Sequence, residues 1–93
     1  MILSMAHAEI AEADRDNLFG EWSNLRVGEQ PEGLVSAYLL TEGDVVRVAA
    51  VWHSVEAHDR ALGDEMSHPA YKVFEAAGLD PHHSVMDVVG SLT

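Results

Sequence analysis

The sequence contains no cysteine and few basic residues, and each shortage excludes a class of function. Without cysteine among its 93 residues, the chain has no disulfide, no thiolate nucleophile and no cysteine-ligated zinc or iron–sulfur site. Its 5 Lys and Arg face 16 Asp and Glu, which gives a net charge of −11. Such an acidic surface repels phosphate backbones and anionic lipids, so we expect no nucleic-acid partner and no membrane partner.

Long hydrophobic runs are missing as well. No stretch approaches the ~20 apolar residues of a membrane-spanning helix. The N-terminal segment, residues 1–10, has neither the basic start nor the continuous apolar core of a signal peptide. We therefore expect a cytoplasmic protein. With 47% hydrophobic residues, the chain is apolar enough to fold as a single domain over residues 1–93.

The clearest structural signal is a β-hairpin over residues 34–53. Two apolar runs flank the polar connector Thr41-Glu42-Gly43-Asp44, and pairing of Leu40 with Val45 would hold them in register. One face of the ribbon is then wholly apolar and comprises Val35, Ala37, Leu39, Val46, Val48, Ala50 and Trp52. An apolar face requires a cover of helices, whereas the mixed opposite face suits a contact with another subunit.

The segment before the hairpin predicts one strand and one helix. Apolar residues alternate loosely over residues 2–10, which is typical of a strand. From about Glu12 the period changes, because Leu18, Trp22 and Leu25 recur at helical spacing. We expect an amphipathic helix that ends near the glycines before the hairpin.

The segment after the hairpin predicts helices and a last strand. Ser54 stands at an N-cap position before a helix whose inward stripe comprises Val55, His58, Leu62 and Met66. Pro69 fits the first turn of a further helical segment, and Gly78 fits its C-terminal end. We expect a loop over residues 80–83 and a strand over residues 84–92.

The resulting order, β-α-β-β-α-β, predicts an α+β protein with a ferredoxin-like antiparallel sheet and its helices on one face. The uncovered face would be exposed in a monomer, which favours a homodimer. Tyr38 and Arg47 face each other in the expected hairpin register, and they share this face with His53. We expect these side chains to form contacts between subunits rather than with a ligand.

Three segments resemble the antibiotic-biosynthesis-monooxygenase-like family. They are Val48-Ala-Ala-Val-Trp-His-Ser-Val-Glu-Ala57, Pro31-Glu-Gly-Leu34 and His68-Pro-Ala-Tyr-Lys-Val-Phe74. The resemblance implies a dimeric α+β barrel with a ligand pocket between each sheet and its own helices. Some members oxygenate phenols or quinone precursors without metal or flavin, so the resemblance implies no cofactor. Other members degrade haem.

The family's site residues carry over only in part. Trp52 matches the pocket tryptophan of the family, and its indole N–H would donate toward a substrate oxygen. Val48 stands where quinone-forming members have an asparagine, and His58 stands where they have a tyrosine. The arginine of their last helix falls near Lys72 or Glu75. These departures leave the specific activity of the family open for this chain.

Four residues are candidates for the site. We expect Trp52 and His58 to be catalytic, with His58 as the general base because an ordinary histidine pKa suits proton transfer at neutral pH. A ligand would contact Trp52, His58, Tyr71 and His68. Each has a structural alternative: Trp52 as core packing, His58 as a solvated boundary residue, His68 as a loop residue and Tyr71 as a half-buried surface residue.

A metal site is not expected. The six histidines include no His-x-x-x-His pair, and the side chains of the adjacent His82 and His83 would diverge. Two functions remain. The first is a cofactor-independent oxygenase acting on a small aromatic or enolic compound. The alternative is a non-catalytic dimeric barrel that binds a small ligand or serves as a stress-associated interaction module.

Overall fold

The computed structural model describes residues 1–28, 30–63 and 68–92. Its elements, in chain order, are β1 (Ile2–Glu9), α1 (Glu12–Val27), β2 (Leu34–Glu42), β3 (Val45–Trp52), α2 (Val55–Gly63), α3 (Pro69–Ala76) and β4 (His82–Asp87). The strands form one antiparallel sheet in the order β2-β3-β1-β4. Two helical crossovers produce this order, so the predicted ferredoxin-like α+β fold is confirmed. The predicted stripe position Met66 lies outside the described residues.

Two neighbouring apolar clusters lie between the sheet and the helices. The larger joins β1 and β3 to α1 and α3 and comprises Ala6, Ile10, Leu18, Val46, Val48, Ala70, Val73 and Phe74. The smaller joins the end of β3 to α2 and comprises Ile2, Ala50, Trp52, Ala57 and Ala61. Alanines on α2 let this short helix lie close to the sheet, and the smaller cluster forms one wall of the site described below.

Gly33 allows the turn before β2 to approach α2. Its φ is +87°, and a Cβ placed there would lie 2.4 Å from the Cβ of Ala57. Any side chain at this position would therefore be strained in its backbone and would also overlap α2. In the same turn, the carbonyl of Gly33 accepts a hydrogen bond from the backbone N–H of His53, at 2.9 Å. This bond connects the end of β3 to the turn.

The hairpin exists as predicted, but its register is shifted by two residues. Glu42 pairs with Val45, and Gly43, with a φ of +58°, is the first residue of a two-residue turn. Glycine at that position is typical of the type II′ turns that match strand twist. The predicted pairing of Leu40 with Val45 is therefore wrong. Because the shift is an even number of residues, the hairpin side chains from Ser36 to Trp52 keep their predicted faces.

The new register also separates Tyr38 from Arg47. Tyr38 pairs with Ala49, and Arg47 pairs with Leu40. The guanidinium of Arg47 lies 3.3 Å from a carboxylate oxygen of Glu42 on its own face. The predicted contact between Tyr38 and Arg47 is thus replaced by an ion pair within the hairpin.

Two predicted core positions are wrong. A β-bulge between Leu34 and Ser36 turns Val35 outward, where 45% of it is exposed, and places Leu34 opposite Trp52 instead. On α2, Val55 is exposed, and the buried stripe runs through Ala57, His58 and Ala61. The helix is therefore rotated relative to the predicted stripe, although His58 still faces inward.

The last strand begins and ends earlier than predicted. Helix α3 ends at Ala76, and Gly78, with a φ of +71°, follows its C-cap residue as predicted; the backbone N–H of Leu79 donates to the carbonyl of Phe74 at 2.9 Å. The chain then enters β4 at His82, which pairs with His7 of β1, so residues 82 and 83 belong to the strand and not to a loop. The strand ends at Asp87 instead of residue 92.

Candidate functional site

Three histidines from three different elements meet beside Trp52. His58 lies on α2, His68 directly precedes α3, and His83 is the second residue of β4. The ring centroids of His58 and His68 are 5.2 Å apart, and that of His83 lies 5.5 Å from the first and 5.3 Å from the second. We call these three residues the histidine cluster.

His58 is held inward by the start of α2. Ser54 caps the helix as predicted, because its Oγ accepts the backbone N–H of Ala57 at 3.1 Å. One turn into the helix, His58 is only 2% exposed. Its Nδ1 lies 3.1 Å from a carboxylate oxygen of Asp59. Its Nε2 is buried and finds no hydrogen-bond partner among the described residues.

His68 is the N-cap residue of α3. Its Nδ1 accepts the backbone N–H of Ala70 at 3.2 Å, and Pro69 occupies the first position of the helix. An imidazole that accepts through Nδ1 carries its proton on Nε2 when it is neutral. That Nε2 is also buried and has no partner within the described part of the chain.

His83 brings the third ring to the cluster from the sheet. It pairs with Ala6 of β1, whose side chain belongs to the larger apolar cluster, so both residues face the helix layer. Its neighbour His82 faces the opposite side and stacks on His7, with ring centroids 5.2 Å apart. The side chains of these two adjacent histidines therefore lie on opposite faces of the sheet.

Trp52 forms the wall of the cluster on the sheet side. Its ring lies 5.6 Å from that of His58 and 5.4 Å from that of His68, and the residue is completely buried. Its indole N–H donates to Oγ of the buried Ser4 at 3.0 Å. The hydrogen bond that we expected Trp52 to offer a substrate is thus made within the protein.

Burial keeps two members of the cluster neutral. The pKa of His68 is lowered from 6.5 to about 4, mainly by desolvation and then by the neighbouring His58 and His83. The pKa of His83 is also lowered, first by burial and then by His58. At neutral pH the imidazoles of His68 and His83 are therefore uncharged.

A cleft of about 300 Å³ opens beside the cluster, between α3 and the segment that leads to β4. Its lining includes Tyr71, Glu75, Asp80 and His83. The cluster reaches this cleft through His83, and the ring of Tyr71 lies 6.0 Å from that of His68. A molecule in the cleft would meet His83 first, with the buried imidazoles behind it.

The structure thus brings the four predicted site residues close together, but only one of them lines the cleft. Trp52, His58 and His68 are buried behind the cleft, and Tyr71 lines it. Val48, at the position of the family's asparagine, is buried in the larger apolar cluster. Sequence reasoning missed His83, because it assigned that residue to a loop. The alternation of His82 and His83 on a strand was the signal that would have found it.

Comparison with known proteins identifies the fold. No family model matches the sequence, and no curated protein matches it in sequence. Among solved structures, the cofactor-independent oxygenase SnoaB from Streptomyces nogalater aligns with a TM-score of 0.70 and 18% identity, over 98% of this chain and 95% of that one. The monooxygenase ActVA-Orf6 from Streptomyces coelicolor, in complex with nanaomycin D, aligns with a TM-score of 0.68 and 18% identity, over 99% and 90%.

A third neighbour binds a larger ligand. MhuD, in a structure with two manganese protoporphyrin IX molecules per active site, aligns with a TM-score of 0.72 and 18% identity, over 100% of this chain and 99% of that one. The neighbours include the antibiotic biosynthesis monooxygenases, so the resemblance inferred from the sequence is confirmed at the level of the fold. No helix among the described residues is long and apolar enough to span a bilayer.

Proposed function

We propose that this protein is a cofactor-independent oxygenase that binds a small aromatic or enolic compound in the cleft between α3 and β4. The observation that carries the proposal is the position of His83, which lines the cleft and is backed by two buried imidazoles. The shared fold with SnoaB and ActVA-Orf6 supports the same class of chemistry. A neutral imidazole at the wall of a cleft is a suitable proton acceptor.

In the proposed reaction, the substrate supplies the electrons. His83 accepts the proton of a phenolic or enolic group, and the resulting anion reduces dioxygen. One oxygen atom enters the substrate as a carbonyl and the other leaves as water. His58 and His68 are buried behind His83 and do not line the cleft, so their proposed role is to position the imidazole of this base.

The cleft restricts the substrate by size and by charge. A volume of about 300 Å³ is at the lower end of the range for small-molecule sites and suits one or two rings. Glu75 and Asp80 line the cleft and disfavour a substrate that is already anionic in solution. We therefore expect a small neutral phenol or enol, which becomes an anion only after it is bound. Tyr71 would contact its ring.

The alternative, a barrel that binds a small ligand without turnover, is favoured by one observation. The indole N–H of Trp52 is already bonded to Ser4, and the position of the family's pocket asparagine is an apolar valine. The protein thus offers fewer free hydrogen-bond donors to a substrate than we expected from the resemblance. Binding of an aromatic compound without oxygen consumption would identify this second function.

Oxygen uptake by metal-free protein with hydroxylated mono- and bicyclic aromatics tests the proposed function. We expect His83→Gln to lower the rate by ~100-fold or more, as loss of a general base does. His82→Gln is the matched control, because this adjacent residue faces the other side of the sheet and should keep the wild-type rate. Trp52→Phe and His58→Ala test whether these two buried residues contribute to the rate. If His83→Gln, Trp52→Phe and His58→Ala all keep the wild-type rate, these three residues have no part in the mechanism.

We also propose that the protein is a homodimer that pairs through the helix-free face of the sheet. At the centre of this face, Tyr38, Ala49 and Met5 lie side by side on β2, β3 and β1. Tyr38 is 55% exposed, and Leu40 and Met86 on the two edge strands are also exposed. Burial of this face against a second copy would remove the exposed apolar surface from water.

Light scattering tests the homodimer. We expect about twice the chain mass of 10.1 kDa for the wild type. Tyr38→Glu should yield the monomer mass, because it places a charge at the centre of the face. Val55→Glu is the control, since Val55 is similarly exposed but lies on α2 in the helix layer. A wild-type protein that is monomeric at micromolar concentration would contradict the proposal.

A further inference from the structure

We infer that the histidine cluster is a binding site for one divalent transition-metal ion of the Zn²⁺ type, ligated by His58, His68 and His83. Each imidazole offers one ring nitrogen, and these three nitrogens lie within 4.8 Å of one another. Three histidines and an open fourth position make a known type of zinc site. We expected no metal site from the sequence, because the three residues have no spacing typical of a metal motif.

Metal binding requires the three nitrogens to move closer together, by up to about 1.5 Å. Zinc–nitrogen bonds of about 2.0–2.1 Å place tetrahedral ligand atoms about 3.3 Å apart. His58 and His68 are fixed by α2 and by the start of α3, whereas His83 lies on an exposed edge strand and can adjust toward them. An all-imidazole set prefers Zn²⁺, Cu²⁺ or Ni²⁺ to Ca²⁺ or Mg²⁺, which prefer oxygen ligands.

His58 already has the arrangement of a metal ligand. A proton on its Nδ1 donates to the carboxylate of Asp59 and leaves the lone pair of Nε2 free. Ligating histidines commonly make such a bond to a carboxylate, which fixes the tautomer and makes the ring more basic. The unpartnered Nε2, on a side chain that is 2% exposed, would gain its missing partner when the metal binds.

His68 must exchange its tautomer to bind through Nε2. In the metal-free protein its Nδ1 accepts the N–H of Ala70, so the proton is on the nitrogen that would ligate the ion. Binding moves this proton to Nδ1 and breaks a hydrogen bond that is already long, at 3.2 Å. The metal–nitrogen bond formed in its place satisfies the buried Nε2, which has no partner in the described residues.

The surrounding charge favours a cation. The cleft that leads to His83 carries the carboxylates of Glu75 and Asp80, and the whole chain has a net charge of −11. Both attract a divalent ion from solution. His83 lines the cleft, so it would be the ligand nearest to solvent, whereas the ligating nitrogens of His58 and His68 are buried.

This inference goes beyond the proposed function, because metal binding needs no substrate and no turnover. The cluster cannot bind a metal ion and accept a substrate proton at the same time, because the metal would occupy the lone pair of His83 that accepts the proton. Zinc at one equivalent should therefore inhibit any oxygen uptake. A failure of the oxygenase assay would leave the binding measurement unaffected, and the reverse also holds.

Calorimetric titration of tag-free, chelator-stripped protein with Zn²⁺ tests the site. We expect one ion per chain, and with Co²⁺ the visible absorption of a four-coordinate ion. His83→Gln, at an exposed position that should not prevent folding, should weaken binding by at least tenfold, as should His58→Gln and His68→Gln. Asp59→Asn should weaken it by ~10-fold or more without removing a ligand.

Two matched controls make the result decisive. His7→Gln and His82→Gln remove the other close histidine pair, which stacks on the opposite side of the sheet, and should bind the wild-type amount with unchanged affinity. The inference is overturned by absence of saturable binding at micromolar Zn²⁺. It is equally overturned if His83→Gln binds like the wild type, or if the control variants lose binding to the same extent.

Discussion

Trp52→Ala is expected to lower the free energy of unfolding by about 3–5 kcal/mol, the range for truncation of a fully buried large aromatic side chain. Trp52 has no exposed surface and contacts both layers of the protein. It packs with Ile2 and Ala50 of the sheet and with the alanines of α2, and its ring also contacts His58 and His68. Its neighbours are mostly small or fixed by caps, so they cannot collapse into the cavity that alanine would leave.

Trp52→Phe separates packing from hydrogen bonding. Phenylalanine keeps most of the apolar contact but leaves Oγ of the buried Ser4 without its donor, which costs about 1–3 kcal/mol. Urea unfolding followed by circular dichroism, in chelator at pH 8, measures both variants. Trp22→Ala, at a partly buried position on α1, should be milder than Trp52→Ala. A loss below about 1 kcal/mol for Trp52→Ala would contradict the packing described here.

Acidification from pH 7 to pH 4 is expected to remove about 3 kcal/mol of stability through His68 alone. The pKa of His68 is lowered from 6.5 to about 4 in the folded protein, and each unit corresponds to about 1.4 kcal/mol. Between these values the unfolded chain binds the proton and the folded chain does not, so stability falls as pH falls. The contribution is fully present above pH 6.5 and is lost progressively toward pH 4.

A comparison with His68→Gln isolates this contribution from those of the many carboxylates. Glutamine retains an acceptor for the N–H of Ala70 but does not titrate. Urea unfolding at several pH values should therefore show that the wild type loses about 3 kcal/mol more than the variant between pH 7 and pH 4. The lowered pKa of His83 acts in the same direction. Parallel stability curves for the two proteins would show that His68 is not held neutral.

The fold could be predicted from the sequence because its signals are local. Alternating and helical periods, the Ser54 cap and Gly78 each act within a few residues, and their order determines the topology. The hairpin register could not be predicted in the same way. The connector Thr41-Glu42-Gly43-Asp44 allows a longer or a shorter turn, and the choice between them depends on Gly43.

The site was harder to predict because it depends on contacts between distant segments. Helical spacing indicated that His58 faces inward, but no local pattern relates it to His68 or to His83. The three rings meet only after α2 and α3 are laid on the sheet and β4 is paired with β1. The resemblance to a family that includes oxygenases singled out Trp52, whose ring lies beside the cluster. The resemblance could not show that Oγ of Ser4 would accept the hydrogen bond of the indole N–H.

The histidine cluster is the feature on which both the proposed chemistry and the metal site depend. Proton–nitrogen correlation spectra and NOESY spectra of metal-free protein, recorded from pH 8 to pH 4, observe it directly. We expect His68 to carry its proton on Nε2 and to stay neutral until about pH 4, with cross-peaks between its ring protons and those of His58 and His83. Titration of His68 near 6.5 without such cross-peaks would contradict the account.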